Sequence, residues 1–112
     1  MSDIGDENEK FPSTFSLFQN YPNPFNPSTR ISWQSPVGSW QTLKIYDVLG
    51  NEVATLVNEY KPAGEYEVEF SGQSDEGQNL SSGVYFYQLR IIGPEMNSGQ
   101  GFVKTKKMLL LR

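Results

Sequence analysis

The stretch WQTLKIYDVLGNEVATLV, residues 40–57, decides the fold because it contains two strand-like runs joined by turn-forming residues. In the first run Leu43 and Ile45 alternate with more polar side chains, which is typical of a strand with one buried face. The second run, Glu52–Val57, is rich in β-branched residues. Gly50-Asn51 lies between them, and tight hairpin turns need the positive φ that these residue types tolerate. The stretch therefore predicts a β-hairpin with a tight turn.

Similar runs lie on both sides of this hairpin. In the run EYEVEF, residues 65–70, apolar side chains and glutamates alternate strictly, which predicts one buried and one solvated face. The run VYFYQLRII, residues 84–92, is apolar on both faces and predicts a central strand. About seven strands separated by turn signals, with no helical pattern, predict an all-β antiparallel sandwich. The expected strands are Phe15–Tyr21, Arg30–Ser35, Trp40–Leu49, Glu52–Val57, Glu65–Phe70, Val84–Ile92 and Phe102–Leu111.

Composition excludes several classes of function. The 112 residues include no Cys and no His, which removes disulfides, thiolate chemistry and the commonest metal ligand and acid–base group. The formal net charge of −4 argues against binding to nucleic acid. No run reaches the ~18 apolar residues of a membrane span, so we expect no membrane insertion. The start, MSDIG, has no signal-peptide pattern, so we expect either a cytoplasmic chain or a piece of a longer exported protein.

Charge is concentrated at the two ends of the chain. Residues 1–10 contain four acids and one lysine, whereas residues 104–112 contain four basic residues and no acid. Apolar periodicity is absent before Phe15, and such a segment cannot bury enough surface to offset its ordering entropy. We therefore predict that residues 1–14 are a flexible acidic linker and that residues 15–112 form the folded domain.

Candidate chemical sites are weak in this sequence. Serines are common, but without His they lack the usual base, and Ser81-Ser82-Gly83 is more simply a turn before a strand. The run DEGQN, residues 75–79, offers oxygen ligands for calcium but lacks the spacing of a known calcium loop. We expect neither enzymatic activity nor a cofactor.

Two features permit binding functions. Some of Trp33, Trp40, Tyr46 and Tyr60 would form a stacking platform for sugar rings if they faced solvent, although aromatics in strands usually belong to the core. The last run, KTKKMLLLR at residues 104–112, is an apolar strand bracketed by basic residues. Such a strand is either an edge protected by lysines or a segment that a partner extends or removes from the sheet. Local physics leaves both interpretations open.

Four motifs, in order and spacing, resemble the type A C-terminal sorting domain of the type IX secretion system. The immunoglobulin-like domain of flagellar hook-capping proteins is similar in the middle motifs and less similar at the first and last. The motifs are Tyr21–Pro27 (YPNPFNP), Leu43–Val53 (LKIYDVLGNEV), Leu80–Tyr87 (LSSGVYFY) and Lys104–Arg112.

This resemblance implies an immunoglobulin-like β-sandwich that labels a larger exported protein of the Bacteroidetes and neighbouring lineages. Its implied partners are the outer-membrane translocon, a sortase-like peptidase and an N-terminal cargo domain. Its implied location is the periplasm in transit and then the cell surface or medium, after cleavage within residues 1–14. The alternatives are an accessory carbohydrate-binding module and a structural immunoglobulin-like unit that self-assembles through its edges.

The resemblance also assigns candidate residues. The loop Gly93–Gly101 is longer than the family's usual turn, which bears on how the last strand docks. Gly83 and Tyr85 are expected to shape the strand beside the last one. The residues expected to be read by the translocon are Lys104, Lys106, Lys107, Met108, Leu109, Leu110, Leu111 and Arg112, and the structural motif residues are Pro22, Asn23, Pro24, Phe25, Asn26, Pro27, Gly50, Gly83 and Tyr85.

Overall fold

A computed structural model describes residues 12–92 and 101–112, which form a sandwich of two antiparallel sheets. One sheet has the strand order β1-β2-β5 and the other has the order β4-β3-β6-β7. The predicted all-β, seven-stranded sandwich is thereby confirmed. The strands are β1 Ser16–Leu17, β2 Thr29–Ser35, β3 Ser39–Tyr46, β4 Glu52–Lys61, β5 Gly64–Phe70, β6 Gly83–Ile92 and β7 Phe102–Leu110.

The core lies between the inner faces of the two sheets, as period-2 alternation requires. Strand β6 lies between β3 and β7, so the predicted central strand is confirmed. Strand β5 alternates as predicted, because its glutamates are exposed and Phe70 is buried. The buried apolar side chains are Leu17, Phe25, Ile31, Trp33, Leu43, Ile45, Ala54, Val57, Phe70, Tyr85, Tyr87, Leu89, Ile91, Met108 and Leu110.

The predicted hairpin forms, but its turn is longer than expected. Strand β3 ends at Tyr46 and pairs with β4 across a loop of residues 47–51. The Asp47 carboxylate accepts hydrogen bonds from the backbone N–H groups of Leu49 and Asn51, at 3.0 and 2.9 Å. These bonds, those to Asn51 first, hold the pKa of Asp47 below its usual value. The side chain thus ends the strand three residues before the predicted point, and Gly50 has a φ of 89° within the loop.

The first strand is shorter than predicted because its ladder with β2 becomes irregular after Leu17. Ser16 and Leu17 pair with β2, the Phe18 N–H still donates to the Ser32 carbonyl, and Tyr21 forms an isolated antiparallel bridge with Arg30. The buried Asn20 amide then donates to the carbonyl oxygen of Pro22 at 3.2 Å and to the hydroxyl of Thr29 at 3.0 Å. These bonds turn the chain into the proline-rich segment.

Two expectations lie wholly or partly outside the described residues. The acidic linker prediction concerns mainly residues 1–11, and the long loop before β7 is mainly residues 93–100. Within residues 12–92 and 101–112 no helix is long and apolar enough to cross a bilayer.

Candidate functional site

Strand β7 forms one edge of the four-stranded sheet and pairs with β6 along its whole length. Gly83 lies opposite Leu110, and Tyr85 lies opposite Met108. Both Met108 and Leu110 are fully buried in the core. In the folded domain these two side chains are therefore structural, and direct contact with a partner is left to the exposed members of the predicted set.

The proline-rich segment Pro22–Pro27, which we call the clasp, covers the outer edge of the second half of β7. The Phe25 backbone N–H donates to the Leu109 carbonyl, and the Leu111 N–H donates to the Phe25 carbonyl, each at 2.9 Å. The Asn23 side-chain oxygen accepts the Leu109 N–H at 3.0 Å. The Phe25 ring is buried 6.0 Å from the ring of Phe70. The clasp therefore acts as a short extra strand with an aromatic anchor.

Arg112 fixes the chain beyond the clasp. Its backbone N–H donates to the Ser82 hydroxyl at 2.8 Å. Its guanidinium donates from Nε to the Leu80 carbonyl and from Nη2 to the Gly72 carbonyl, both at 2.6 Å. Such charge-assisted bonds are stronger than neutral ones. Arg112 was expected to be recognised by a partner. In this structure its hydrogen-bond donors are directed at the 71–82 loop, which joins β5 to β6.

A buried polar cluster that the sequence did not reveal lies next to the clasp. The Tyr87 hydroxyl donates to the Phe18 carbonyl and accepts the Asn20 N–H, both at 2.8 Å. Burial raises the pKa of Tyr87 to about 12, because the ionised phenolate would lose its hydration. Tyrosine hydroxyls that are buried usually find such partners, but the sequence does not indicate which ones.

The first half of β7, Phe102–Lys106, differs from the clasped half. Val103, Lys104 and Thr105 are exposed, and Lys106 is half-buried. The cover of the edge begins at the Lys107 carbonyl, which accepts the side-chain N–H of Gln19 at 2.9 Å. Among the described residues, none of the three lysines of β7 takes part in an ion pair.

The remaining motif residues gather at one end of the sandwich. The loop carrying Gly50 and the start of β6 at Gly83 border a shallow cleft, which is also lined by Val48, Leu49 and Tyr85. The Tyr85 hydroxyl donates to the Ser81 carbonyl at 2.8 Å. The clasp, Arg112 and the 71–82 loop lie at the same end through the contacts described above.

The four candidate aromatics do not form one platform. Trp33 is buried, and its indole N–H donates to the Gln41 side chain at 2.8 Å. Trp40 and Tyr60 lie opposite each other on β3 and β4, and both are more than half exposed. The indole N–H of Trp40 donates to Asn58 at 2.8 Å. Tyr46 is half-buried at the other end of β3, six positions from Trp40, so of the four candidates only Trp40 and Tyr60 lie together and exposed.

The candidate calcium loop is engaged in protein contacts. Both oxygens of the Asp75 carboxylate accept the Thr55 N–H, at 3.2 and 3.1 Å, and the Asp75 N–H donates to the Val53 carbonyl. Asp75 thus covers part of the β4 edge. Across the described residues, no three acidic side chains are grouped in a way that could hold a metal ion.

Comparison with known proteins gives one family and two structures. The family model of the FlgD Ig-like domain matches residues 23–91. Dimeric latent PorU from Porphyromonas gingivalis is similar with a TM-score of 0.69 and 22% identity, over 89% of this chain and 9% of that one. PorZ, an essential surface component of the type IX secretion system of that organism, is similar with a TM-score of 0.53 and 20% identity, over 87% of this chain and 12% of that one.

These structural similarities concern the fold, since both identities are low. The chain spans about a tenth of the length of either structure. Among curated proteins, no sequence matches the chain.

Proposed function

This chain belongs to the FlgD Ig-like domain family, and from that premise we propose that it is a C-terminal sorting domain of the type IX secretion system. The motif order described above supports this assignment over a hook-capping role, because the clasp sequence and the basic, apolar last strand are the parts that resemble sorting domains. The fold similarity to PorZ, a component of that secretion system, is consistent with it.

One observation carries the proposal: the last strand is built into the core yet presents positive charge that, among the described residues, has no acidic partner. Met108 and Leu110 are buried, so the strand holds a fixed position in the folded domain. Lys104, Lys106 and Lys107 project from the same strand and form no ion pair within the described part of the chain. A partner can therefore bind these charges without displacing an internal ion pair.

The proposal includes partners and a route. The outer-membrane translocon binds the folded domain, a sortase-like peptidase cleaves within residues 1–14, and a cargo domain precedes that linker. The protein is exported through the periplasm to the cell surface or medium. The domain itself performs no reaction and serves as a label for its cargo.

Export of a fusion protein tests the proposal. A fluorescent protein with a signal peptide is joined to residues 1–112, which keep the proposed cleavage segment, and is expressed in a host that has the type IX system. We expect fluorescence at the surface or in the medium. If the intact fusion stays in the periplasm, the proposed function is wrong.

A triple variant tests the role of the lysines without unfolding the domain. Deleting the last strand would remove Met108 and Leu110 from the core and destabilise the fold. Substitutions of the surface lysines test recognition without this effect. We expect K104A/K106A/K107A to reduce export strongly. The control R30A/K44A/K61A removes the same number of positive charges from β2, β3 and β4, away from β7, and should be exported normally. Normal export of the first variant would show that the three lysines are not required for export.

The exposed Trp40–Tyr60 pair supports a second candidate, an accessory carbohydrate-binding function. Aromatic side chains with one polar handle are common at binding surfaces. Retention on polysaccharide gels that Trp40→Ala abolishes would favour this function. Trp33→Ala is unsuitable as a test because Trp33 is buried in the core.

A further inference from the structure

The outer edge of β7 continues past the clasp as an open hydrogen-bonding edge. In an antiparallel strand, alternate residues direct both backbone groups to the same side. Leu109 and Leu111 use their outward groups to bond the clasp. The register with β6 is continuous, so Val103 and Thr105 also direct their N–H and C=O groups outward. Within the described residues these outward groups have no partner, and the open edge spans about 15 Å.

Positive charge lies on both faces of this open edge. Lys104 and Lys106 share the face of the buried Met108, and Lys107 lies on the opposite face with Thr105. Lysines on an edge discourage pairing with neutral or basic strands. Pairing with an acidic strand is favoured instead, because carboxylates on each face of that strand lie beside the lysine ammonium groups on the same face of β7.

We propose that the Val103–Lys107 edge binds an extended acidic segment of a partner protein as an added antiparallel strand. The backbone groups of Val103 and Thr105 supply the ladder, and the three lysines select for acidic side chains. The inference specifies the contact that the proposed sorting function requires, and so it rests on that function. Gln19 fixes one end of the site, because its side chain already occupies the Lys107 carbonyl.

Peptide binding to the full chain tests the proposal directly. The probe is a short blocked peptide in which glutamate alternates with valine or threonine. We expect binding by calorimetry, with amide chemical-shift changes at Val103, Thr105 and Lys107. The same peptide with alternate N-methylated amides keeps its charge but loses main-chain donors, and should bind at least about tenfold more weakly. Equal binding of the two peptides would overturn strand addition.

Protein variants separate the ladder from the charges. Thr105→Pro removes an outward N–H and keeps the backbone bonds to β6, and edge strands tolerate proline at such positions. It also removes the exposed bond from the Gln88 side chain to the Thr105 hydroxyl, so Thr105→Val, which loses only that bond, is the matched control and should bind normally. We expect it to weaken peptide binding about tenfold or more, and K104E/K106E to weaken it at least as much. The control Arg30→Glu makes the same charge change per site on the other sheet and should bind normally. Unchanged binding in folded Thr105→Pro would overturn the ladder, and folding is checked by circular dichroism.

Self-association is the competing outcome. Strand β5 is itself an acidic edge strand, carrying Glu65, Glu67 and Glu69. If a second copy of the chain used β5 as the added strand, light scattering would rise with protein concentration and E65K/E67K would suppress the rise. That result would assign the edge to assembly and overturn the proposal of a separate partner.

The export fusion distinguishes failure of this inference from failure of the proposed function. If the unsubstituted fusion is not exported, the sorting function fails. If it is exported and Thr105→Pro is exported equally well, the sorting function stands and the strand-addition contact fails. We expect export of the first fusion and a severalfold loss in the second.

Discussion

The two halves of β7 share one strand but differ in what lies along their outer edge. The half from Lys107 onward is bonded by β6 on one side and by Gln19 and the clasp on the other. The half before it is bonded by β6 and, among the described residues, has an open outer edge. The same strand thus combines a structural anchor with the open edge that we propose as a binding surface. A partner could contact this open edge while the domain remains folded.

The largest expected effect contrasts one core residue in the clasped half with one exposed residue in the open half. Leu110→Ala should lower the free energy of unfolding by about 2–5 kcal/mol, because the side chain is completely buried. Val103→Ala should change it by no more than about 0.5 kcal/mol, because Val103 is exposed. Urea unfolding measures both. Similar losses would mean that the two halves are equally structural.

The Arg112 anchor is tested next by a pair of glycine variants. Gly72 and Gly77 have φ values of 75° and 84°, so alanine at either costs about 1–2 kcal/mol in backbone energy. At Gly72 the added Cβ would also lie 2.8 Å from the Pro27 carbonyl oxygen and 2.9 Å from Nη2 of Arg112. At Gly77 nothing lies within 4 Å. We expect Gly72→Ala to be about 1–3 kcal/mol more destabilising in thermal unfolding. Equal effects would show that the close packing of Gly72 against the Pro27 carbonyl and Arg112 contributes nothing.

The polar cluster beside the clasp gives a smaller effect. Tyr87→Phe leaves the Phe18 carbonyl and the Asn20 N–H without their partner, and should lower the free energy of unfolding by about 1–3 kcal/mol. Chemical denaturation at neutral pH measures this loss. A neutral substitution would mean that water replaces the hydroxyl.

The pH dependence of stability provides an independent measurement of Tyr87. Its pKa rises from the usual 10.0 to about 12, so between these values the folded state keeps a proton that the unfolded state loses. The contribution is complete below about pH 10 and is lost as pH rises towards 12. Tyr87→Phe should therefore show a shallower loss of stability with pH in this window than the unsubstituted protein. Identical slopes would contradict the raised pKa.

The smallest effect concerns a single hydrogen bond of the clasp. Asn23→Ala removes the acceptor of the Leu109 N–H and should cost about 1 kcal/mol. Hydrogen exchange at Leu109 should become severalfold faster. Exchange at Thr105, whose outward N–H has no partner within residues 12–92 and 101–112, should not change. Asn23→Asp retains an acceptor oxygen and should largely preserve protection of Leu109. Unchanged exchange at Leu109 in Asn23→Ala would show that the Asn23 side chain does not stabilise the pairing of the clasp with β7.

The strands themselves could be predicted from sequence because alternation is a local property. The errors occur at strand ends, where a polar side chain bonds to nearby backbone. Asp47 ends β3 early by accepting two backbone N–H groups, and Asn20 diverts the chain after β1. Asp and Asn have this capacity in any sequence, but the sequence does not show which of them uses it.

The site was less predictable than the fold because it depends on distant pairs. The prolines predicted that the clasp could not be a central strand, but its pairing with β7 joins residues 86 positions apart. The basic tail predicted exposed charge, which applies to Lys104, Lys107 and Arg112, but the exposed Arg112 also bonds two carbonyls of the 71–82 loop through its guanidinium. Positive charge alone does not show which surface residues also bond carbonyl oxygens of distant loops.

The pairing of the clasp with β7 also has a kinetic consequence. Asn23 and Leu109 are 86 positions apart in the chain, so this part of the sandwich can close only after nearly all of the domain has left the ribosome. Contacts of such high sequence separation slow folding, because the chain loses the entropy of loop closure before the contact contributes any stabilising energy. A chain that is cut short within β7 lacks these contacts, so we expect it to remain incompletely folded and accessible to proteases and chaperones.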